Sequence, residues 1–564
     1  MSGWAIDLGT TNTGLSRWDR DADRARMVEL QRICRRPGRA EPLEAPRLIP
    51  SAVHLLPPES LADRVARSGW LGRRVLWGRL AEVGRPALER NQGWMHPAFA
   101  ESFKPLLGLA PNREVARLQG QGVSAREVAR VFLREVVAEV KRSTGERIRE
   151  LVFTVPVESY DAYRAELKAM AAAVGIGRVR FVDEPVAAAI GYGLGLSRAR
   201  RVLVVDFGGG TLDLAVVELT PRSLEQGSCR VLAKEGRPVG GNTVDEWLLG
   251  HFSRRLQVPR DMGAVAADEL VLWRRLMRAE ARRVKEAVYF DDQAVFELAP
   301  PAALRSVTAR LGGEPRYVEF DREGLRSVLA ANHLYGLLED CADGIARQLD
   351  LDGSTERSID DVLLVGGSTL LPGVFPLFEA RYGRDRVRAW QPFEAVAYGA
   401  SAYAADRYAQ SDFVVHDYAF LTYDPHDPEQ KIYTTIVPQG TRFPSGELWR
   451  RHLVPTCALG EPERVFKLVV CEIAGQGHDR RFAWDAEGNV HRLGERERPA
   501  PIIVPLNEAN PTLGYLDPPH EPGDRSPRLE IAFGVDGNRW LVATVRDLRV
   551  GRLLMDREPV VRVL

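Results

Sequence analysis

From residue 1 to about residue 407, short apolar runs alternate with amphipathic stretches. Leu151 to Val155 is a continuous apolar run, and Tyr160 to Val174 comes next with apolar positions recurring near every 3.6 residues. Strand and helix in turn predict an α/β architecture. Around Gln410 to Asp417 the pattern changes. Beyond it the chain is strand-like and broken by Pro and Gly: Arg464 to Glu472 and Arg528 to Val535 alternate or run apolar, and Asp536-Gly537-Asn538 is a hairpin signal before Arg539 to Val545. The pattern predicts a unit over 1–409, a link over 410–418 and an all-β unit over 419–564. Within the last, Gln476 to Pro527 is rich in Pro, Gly and charge, and reads as a long irregular, mobile insertion.

Two internal echoes divide the first unit. Ala5-Ile6-Asp7-Leu8-Gly9-Thr10-Thr11-Asn12 returns in form as Val204-Val205-Asp206-Phe207-Gly208-Gly209-Gly210-Thr211. Each is a buried strand that ends in a carboxylate, turns through Gly and Thr, and comes back as a strand. Glu184-Pro185-Val186-Ala187-Ala188-Ala189-Ile190-Gly191 is likewise matched by Glu394-Ala395-Val396-Ala397-Tyr398-Gly399-Ala400, two small-residue helices suited to a close crossing. Both echoes predict a duplicated, two-lobed domain.

Composition narrows the function classes. Of 564 residues, 45% are hydrophobic and 27% charged, and 77 acids balance 77 bases, so the total charge does not favour a nucleic-acid or membrane-surface partner. The cysteines Cys34, Cys229, Cys341, Cys457 and Cys471 have no metal-ligand spacing, which predicts a reducing compartment. With no leader-like start and no apolar stretch of about 18 residues, the expected location is cytoplasmic. Lysine is rare beside arginine, so each lysine merits inspection.

Gly and Thr in a tight strand-to-strand turn let backbone N–H groups approach phosphate oxygens. Asp7 and Asp206, at the strand ends, could hold a hydrated Mg²⁺ against those phosphates. Either turn alone reads as well as an ordinary turn; the duplication favours a nucleotide clamp. No GxxxxGK[ST] loop occurs and no GxGxxG opens a helix, which removes the main support for P-loop and Rossmann sites.

Seven segments in order then carry a resemblance: Ile6 to Asn12, Ser102-Phe103-Lys104-Pro105-Leu106-Leu107-Gly108, Phe153 to Pro156, Asp183 to Ala189, Val205 to Asp213, Gly240 to Asp245, and Val365 to Pro372. Together they resemble the 70-kilodalton heat-shock chaperone family of the DnaK type, in the actin-like ATPase superfamily. The resemblance implies a duplicated, ribonuclease H-like two-lobed ATPase followed by a β-sandwich that binds peptides. It implies catalytic roles for Lys104, Glu184, Asp206 and Thr211, and metal contacts for Asp7 and Asp206. Gly9, Thr10, Thr11, Asn12, Gly208, Gly209, Gly210, Gly240, Gly241, Lys285, Gly366, Gly367 and Ser368 match nucleotide-binding positions. Pro156 and Arg164 match a relay to the interdomain surface. The implied cofactors are ATP or ADP with Mg²⁺, with room for K⁺. The implied partners are unfolded or extended polypeptides, a J-domain co-chaperone and a nucleotide exchange factor, with neither nucleic acid nor membrane.

Departures fall at the base end. Leu370 stands where an arginine commonly stacks on adenine, Phe393 replaces an acid, and Arg282 and Tyr289 replace Glu and Ser. Base selectivity is therefore expected to be looser. Ile436 to Pro444 and Leu529 to Asp547 resemble strands of the sandwich. The link keeps an apolar run between Asp412 and Asp417 but carries His416 where the family has an aliphatic residue, which predicts weaker interdomain coupling, and with 13 residues after Gly551 a helical lid is not expected. The leading reading is an ATP-driven chaperone. The alternative is a nucleotide-switched scaffold whose β domain docks one folded partner.

Overall fold

The apolar run Trp4–Leu8 forms the middle of a sheet ordered Arg178–Asp183, Glu150–Val155, Trp4–Leu8, Asn12–Asp19, Arg24–Met27. It runs parallel to Glu150–Val155 and antiparallel to Asn12–Asp19. Trp4, Ala5, Ile6 and Leu8 are all buried, as a strand covered on both faces requires. A second sheet repeats the order and directions of the first: Val387–Ala389, Asp361–Val365, Arg200–Phe207, Leu212–Thr220, Gly227–Arg237. The duplicated lobes expected from the echo, ribonuclease H-like as the resemblance implies, are thus present, each around its own apolar core.

The structure is a computed structural model describing residues 3–35, 47–57, 80–91, 96–157, 161–194, 196, 198–220, 227–259, 262–263, 265–351, 353–389, 394–414, 416–423, 430–457, 460–474, 482–484, 490–492, 502–536 and 539–563. It falls into two compact units, Met1–Gln410 with Phe482–Arg492, and Ser411–Arg481 with Leu493–Leu564.

Between the lobes of the first unit, the helices Glu184–Gly193 and Ala395–Ala404 cross on small residues. A Cβ added at Gly399 would lie 1.7 Å from the Ala187 carbonyl oxygen, so only glycine allows the backbones this close. Ser16 Oγ donates to the Ala397 carbonyl at 2.5 Å, which seats the second helix on the first sheet.

Among the described residues, every element of the second unit is a strand. Lys431–Val437, Asp417–Tyr423, Val470–Ala474 and Ile502–Pro505 form one sheet, and Glu447–Leu453, Leu529–Val535, Trp540–Asp547 and Arg552–Arg562 another. Tyr418, Phe420, Leu468, Ile531 and Phe533 fill a shared core.

Three expectations need correction. Arg464 to Glu472 is not one strand: it breaks at Val469 into Glu463–Leu468 and Val470–Ala474, which belong to different sheets. The stretch 476–527 is not irregular throughout, because it contains Ile502–Pro505, paired with Val470–Ala474, and Thr512–His520, paired with Glu463–Leu468. Its prolines suggested otherwise. In the second pair, Glu463 opposes His520 and Val465 opposes Tyr515, so Pro518 and Pro519 sit in a bulge where no ladder N–H is needed. The short hairpin Phe482–Trp484 with Val490–Arg492 groups with the first unit. The link 410–418 contains strand residues at both ends, from Tyr408–Phe413 and Asp417–Tyr423. Gly537 and Asn538 of the hairpin turn, Phe393 and Val415 lie outside the described residues.

Candidate functional site

Both strand-end loops face each other across the lobes. A Cβ at Gly209 would meet Thr11 Oγ1 at 2.6 Å, and one at Gly210 would meet Thr10 Oγ1 at 2.6 Å. The first loop is braced from below, where Ser51 Oγ donates to the Gly9 carbonyl at 2.7 Å and Ser51 N–H to the Thr11 carbonyl at 2.8 Å. In the second, Gly208 N–H returns to the Thr211 carbonyl at 3.0 Å. Gly241 N–H reaches the Gly208 carbonyl at 3.1 Å, and Ser368 Oγ reaches the same oxygen at 2.7 Å. Gly366 has φ +86°, and a Cβ there would lie 2.4 Å from the Phe207 carbonyl oxygen. No other residue type fits that turn without displacing the strand that carries Asp206.

Between the loops lies an uncommon charge cluster. Lys104 Nζ meets Glu184 Oε1 at 2.5 Å, and both side chains are buried. Around them stand half-buried Asp7, which accepts from Thr154 Oγ1 at 2.7 Å, and buried Asp206 and Asp213. Asp213 Oδ1 accepts from the Val157 N–H at 2.8 Å. Burial raises the Asp7 carboxyl against the opposing field of Lys104. It raises Glu184 and Asp206 too, with neighbouring carboxylates adding to the effect, and pushes Asp213 up to about 8. Burial by itself would lower the Lys104 ammonium; Glu184, then Tyr163 and Asp7, hold it above its ordinary value. One ammonium thus stands among four carboxylates, so the site favours a further cation or protons.

Asp206 and Asp213 are directly opposed across the hairpin. Like charges in that position destabilise a sheet unless something cationic sits between them. That pairing is the signal, legible in the segment Val205 to Asp213, by which Asp213 could have been assigned; the sequence reading gave it no role. Among the described residues no group of three or more His, Cys, Asp or Glu is arranged to hold a metal directly. The donor set therefore fits a hydrated Mg²⁺, bound through water and substrate phosphate, better than a fully protein-ligated ion.

Asp213 also sets a pH dependence. Its folded-state pKa lies above the unfolded value, so the folded chain keeps a proton that the unfolded chain releases. The resulting stabilisation is complete below about pH 4 and is lost as pH rises through about 8. Nucleotide-free protein should lose on the order of a few kcal/mol between pH 6 and pH 9, and Asp213→Asn should flatten that slope in urea titrations at the two pH values.

The base end is built differently. Lys285 pairs with buried Asp245 at 2.6 Å and donates to the Gly241 carbonyl at 3.0 Å. Arg282 holds Asp245 at 3.1 Å and reaches Glu101 of the other lobe at 3.4 Å. Burial would raise Asp245, but Lys285 and then Arg282 keep it below the usual carboxylate range. Leu370 is 42% exposed and brings no charge.

Two of the other singled-out residues have partners the sequence did not suggest. Arg164 is buried, 3.4 Å from Asp183. Asp183 in turn pairs with the wholly buried ammonium of Lys234, which comes from the other lobe. His416 is not a bare link residue either: it is buried, with Nδ1 2.7 Å from Glu472 Oε1, which also accepts from Tyr418 Oη at 3.0 Å.

Duplicated lobes with the same strand order, facing strand-end loops and a lysine set among carboxylates define a two-lobed ATPase of the actin-like class. The sequence profile of the Hsp70 protein family matches residues 111–448, more than half of the chain, and the chain belongs to that family. Among curated proteins it is similar to the chaperone protein DnaK of Thermus thermophilus, with 26% identity over 561 residues, covering 97% of this chain and 78% of the relative. The chaperone protein DnaK from a second strain of Thermus thermophilus is similar to the same extent. Among the described residues, no helix is long and apolar enough to cross a membrane.

Proposed function

We propose that this Hsp70-type chaperone hydrolyses ATP between its two lobes with Lys104 and Glu184 at the reacting end, and uses nucleotide state to control polypeptide binding on its β unit. The observation that carries the reading is the buried Lys104–Glu184 pair, set beside Asp7, Asp206 and Asp213 and faced by both loops. Hydrolysis forms a bond from a water oxygen to the γ-phosphorus, breaks the bridging bond to the β-phosphate, and releases a proton. Glu184 places that water and accepts hydrogen bonds from it. Lys104, held charged by Glu184, offsets the negative charge that develops on the γ-phosphoryl oxygens. Backbone N–H groups of Thr10, Thr11, Asn12, Gly209, Gly210 and Thr211 cradle the phosphates, and Gly240, Gly241, Lys285, Gly366, Gly367 and Ser368 line the ribose side. Mg²⁺, when bound, neutralises phosphate charge, and Asp7 and Asp206 would hold its water shell.

By the same reading the partners are extended polypeptides, together with a J-domain protein and an exchange factor, and K⁺ is an auxiliary ion. Family membership supports this part. Asp206→Asn tests the site: Mg²⁺-dependent ATP binding by calorimetry should weaken by about tenfold or more, since one charge-assisted contact to the hydrated ion is removed. Unchanged affinity with unchanged Mg²⁺ dependence would place the nucleotide elsewhere.

A further inference from the structure

Arg35 belongs to none of the motifs above, yet it ends at the phosphate loop. We propose that Arg35 is a nucleotide-contacting residue of this chain, a cation presented from the first lobe to the ribose–phosphate part of the ligand beside Asn12. The inference rests on the nucleotide site proposed above and adds a residue to it.

The first observation is direct: Arg35 Nε donates to Asn12 Oδ1 at 2.8 Å, and Asn12 closes the loop that begins at Gly9. The second is that the segment before Arg35 is built to hold it there. Leu30, Ile33 and Cys34 are buried in the core of the first lobe, and Val28 N–H reaches the Leu15 carbonyl at 2.8 Å. Arg85 donates to three carbonyls of the segment, those of Gln31 at 3.1 Å, Arg32 at 3.0 Å and Cys34 at 3.1 Å. Arg32 is fastened to Glu139 at 2.7 Å, and Arg35 N–H to the Leu48 carbonyl at 2.9 Å. A guanidinium on such a base has little rotational freedom left to lose when it engages a ligand.

Charge across the cleft gives the third observation. The helix Ala267–Ala287 presents Arg282, Lys285 and Glu286. Arg282 and Lys285 are engaged by Asp245 and Glu101, and Glu286 is the acid next to Lys285 on the same helix. Burial pushes the Glu286 carboxyl up, Lys285 and Arg282 oppose that, Asp245 adds to it, and Arg35 is the opposing charge from the other lobe. Arg35 lies on the Asn12 side of the loop, whereas Pro105 adjoins the Thr10 and Gly210 side. A planar guanidinium in that place suits phosphate oxygens.

The test compares wild type, Arg35→Ala and Arg35→Lys by calorimetry with Mg·ADP and with adenosine. Arg35→Ala should weaken ADP by about tenfold and adenosine by less than about twofold. Arg35→Lys should recover part of the ADP affinity. Equal ADP affinity in wild type and Arg35→Ala overturns the proposal, as does an equal loss for ADP and adenosine, which would mean that Arg35 only props the loop. If wild type itself binds neither ligand, the site as a whole fails, a result distinct from failure of Arg35. Arg35 is partly exposed, so an unchanged melting temperature is expected and confirms that the variants are folded.

Discussion

Replacing Lys104 with alanine is expected to lower the rate of ATP hydrolysis by about 10²–10³-fold while changing nucleotide affinity by no more than a few-fold. The split follows from where the charge acts. In the ground state Lys104 is already paired with Glu184 at 2.5 Å, so substrate binding gains little from it. In the transition state, negative charge on the transferring phosphoryl group grows beside the same ammonium, in a buried setting where water screens little. Single-turnover hydrolysis and ADP calorimetry on the same variant measure the two quantities separately. A parallel fall in both would assign Lys104 to substrate binding and not to chemistry.

The second large effect is expected at Lys234. Its ammonium is wholly buried and pairs with Asp183, which also faces Arg164 at 3.4 Å, so three charges from a strand and a helix of one lobe and a strand of the other share one dry site. The backbone is held as well, since Lys234 N–H donates to Gln348 Oε1 at 2.9 Å and the Lys234 carbonyl accepts from Gln348 Nε2 at 2.7 Å. Lys234→Met leaves the volume nearly filled but strips Asp183 of its closest cation, and should cost about 3–5 kcal/mol. The double variant Lys234→Met with Asp183→Asn should recover only part of that loss, because removing the carboxylate also takes a partner from the buried Arg164. Urea midpoints at constant m-value report both numbers. If the single and double variants are equally destabilised, the ion pair is not what the lobes share at this point.

Much of the architecture was legible in the sequence because it depends on short spacings. The carboxylate, Gly and Thr order in Asp7 to Asn12 and Asp206 to Thr211 names both the strand ends and the loops after them. The small residues of Glu184 to Gly191 and Glu394 to Ala400 name a close helix crossing, and the 1.7 Å between a Gly399 Cβ and the Ala187 oxygen shows how close it is. Composition misled where it stood in for geometry. Pro518 and Pro519 made 476–527 look irregular, although a bulge accommodates them beside a strand. Arg464 to Glu472 looked like one strand because both of its halves are apolar, and only the exchange of sheets at Val469 divides them.

By itself, the sequence determined the duplicated lobes, the facing loops, the all-β second unit and the family, since each is written in the type and order of neighbouring residues. Only the tertiary structure decided which charges share a site. Lys104 and Glu184 are 80 residues apart, Lys234 and Asp183 51, Arg35 and Asn12 23, and Arg282 and Glu101 181. A charge taken out of water must find an opposite charge or a strong hydrogen bond, but nothing in local spacing says which of the chain's 154 charged residues will supply it. That choice is made when the sheets and helices close, and it gives Asp245, Lys234 and Arg35 surroundings that their positions in the chain do not announce.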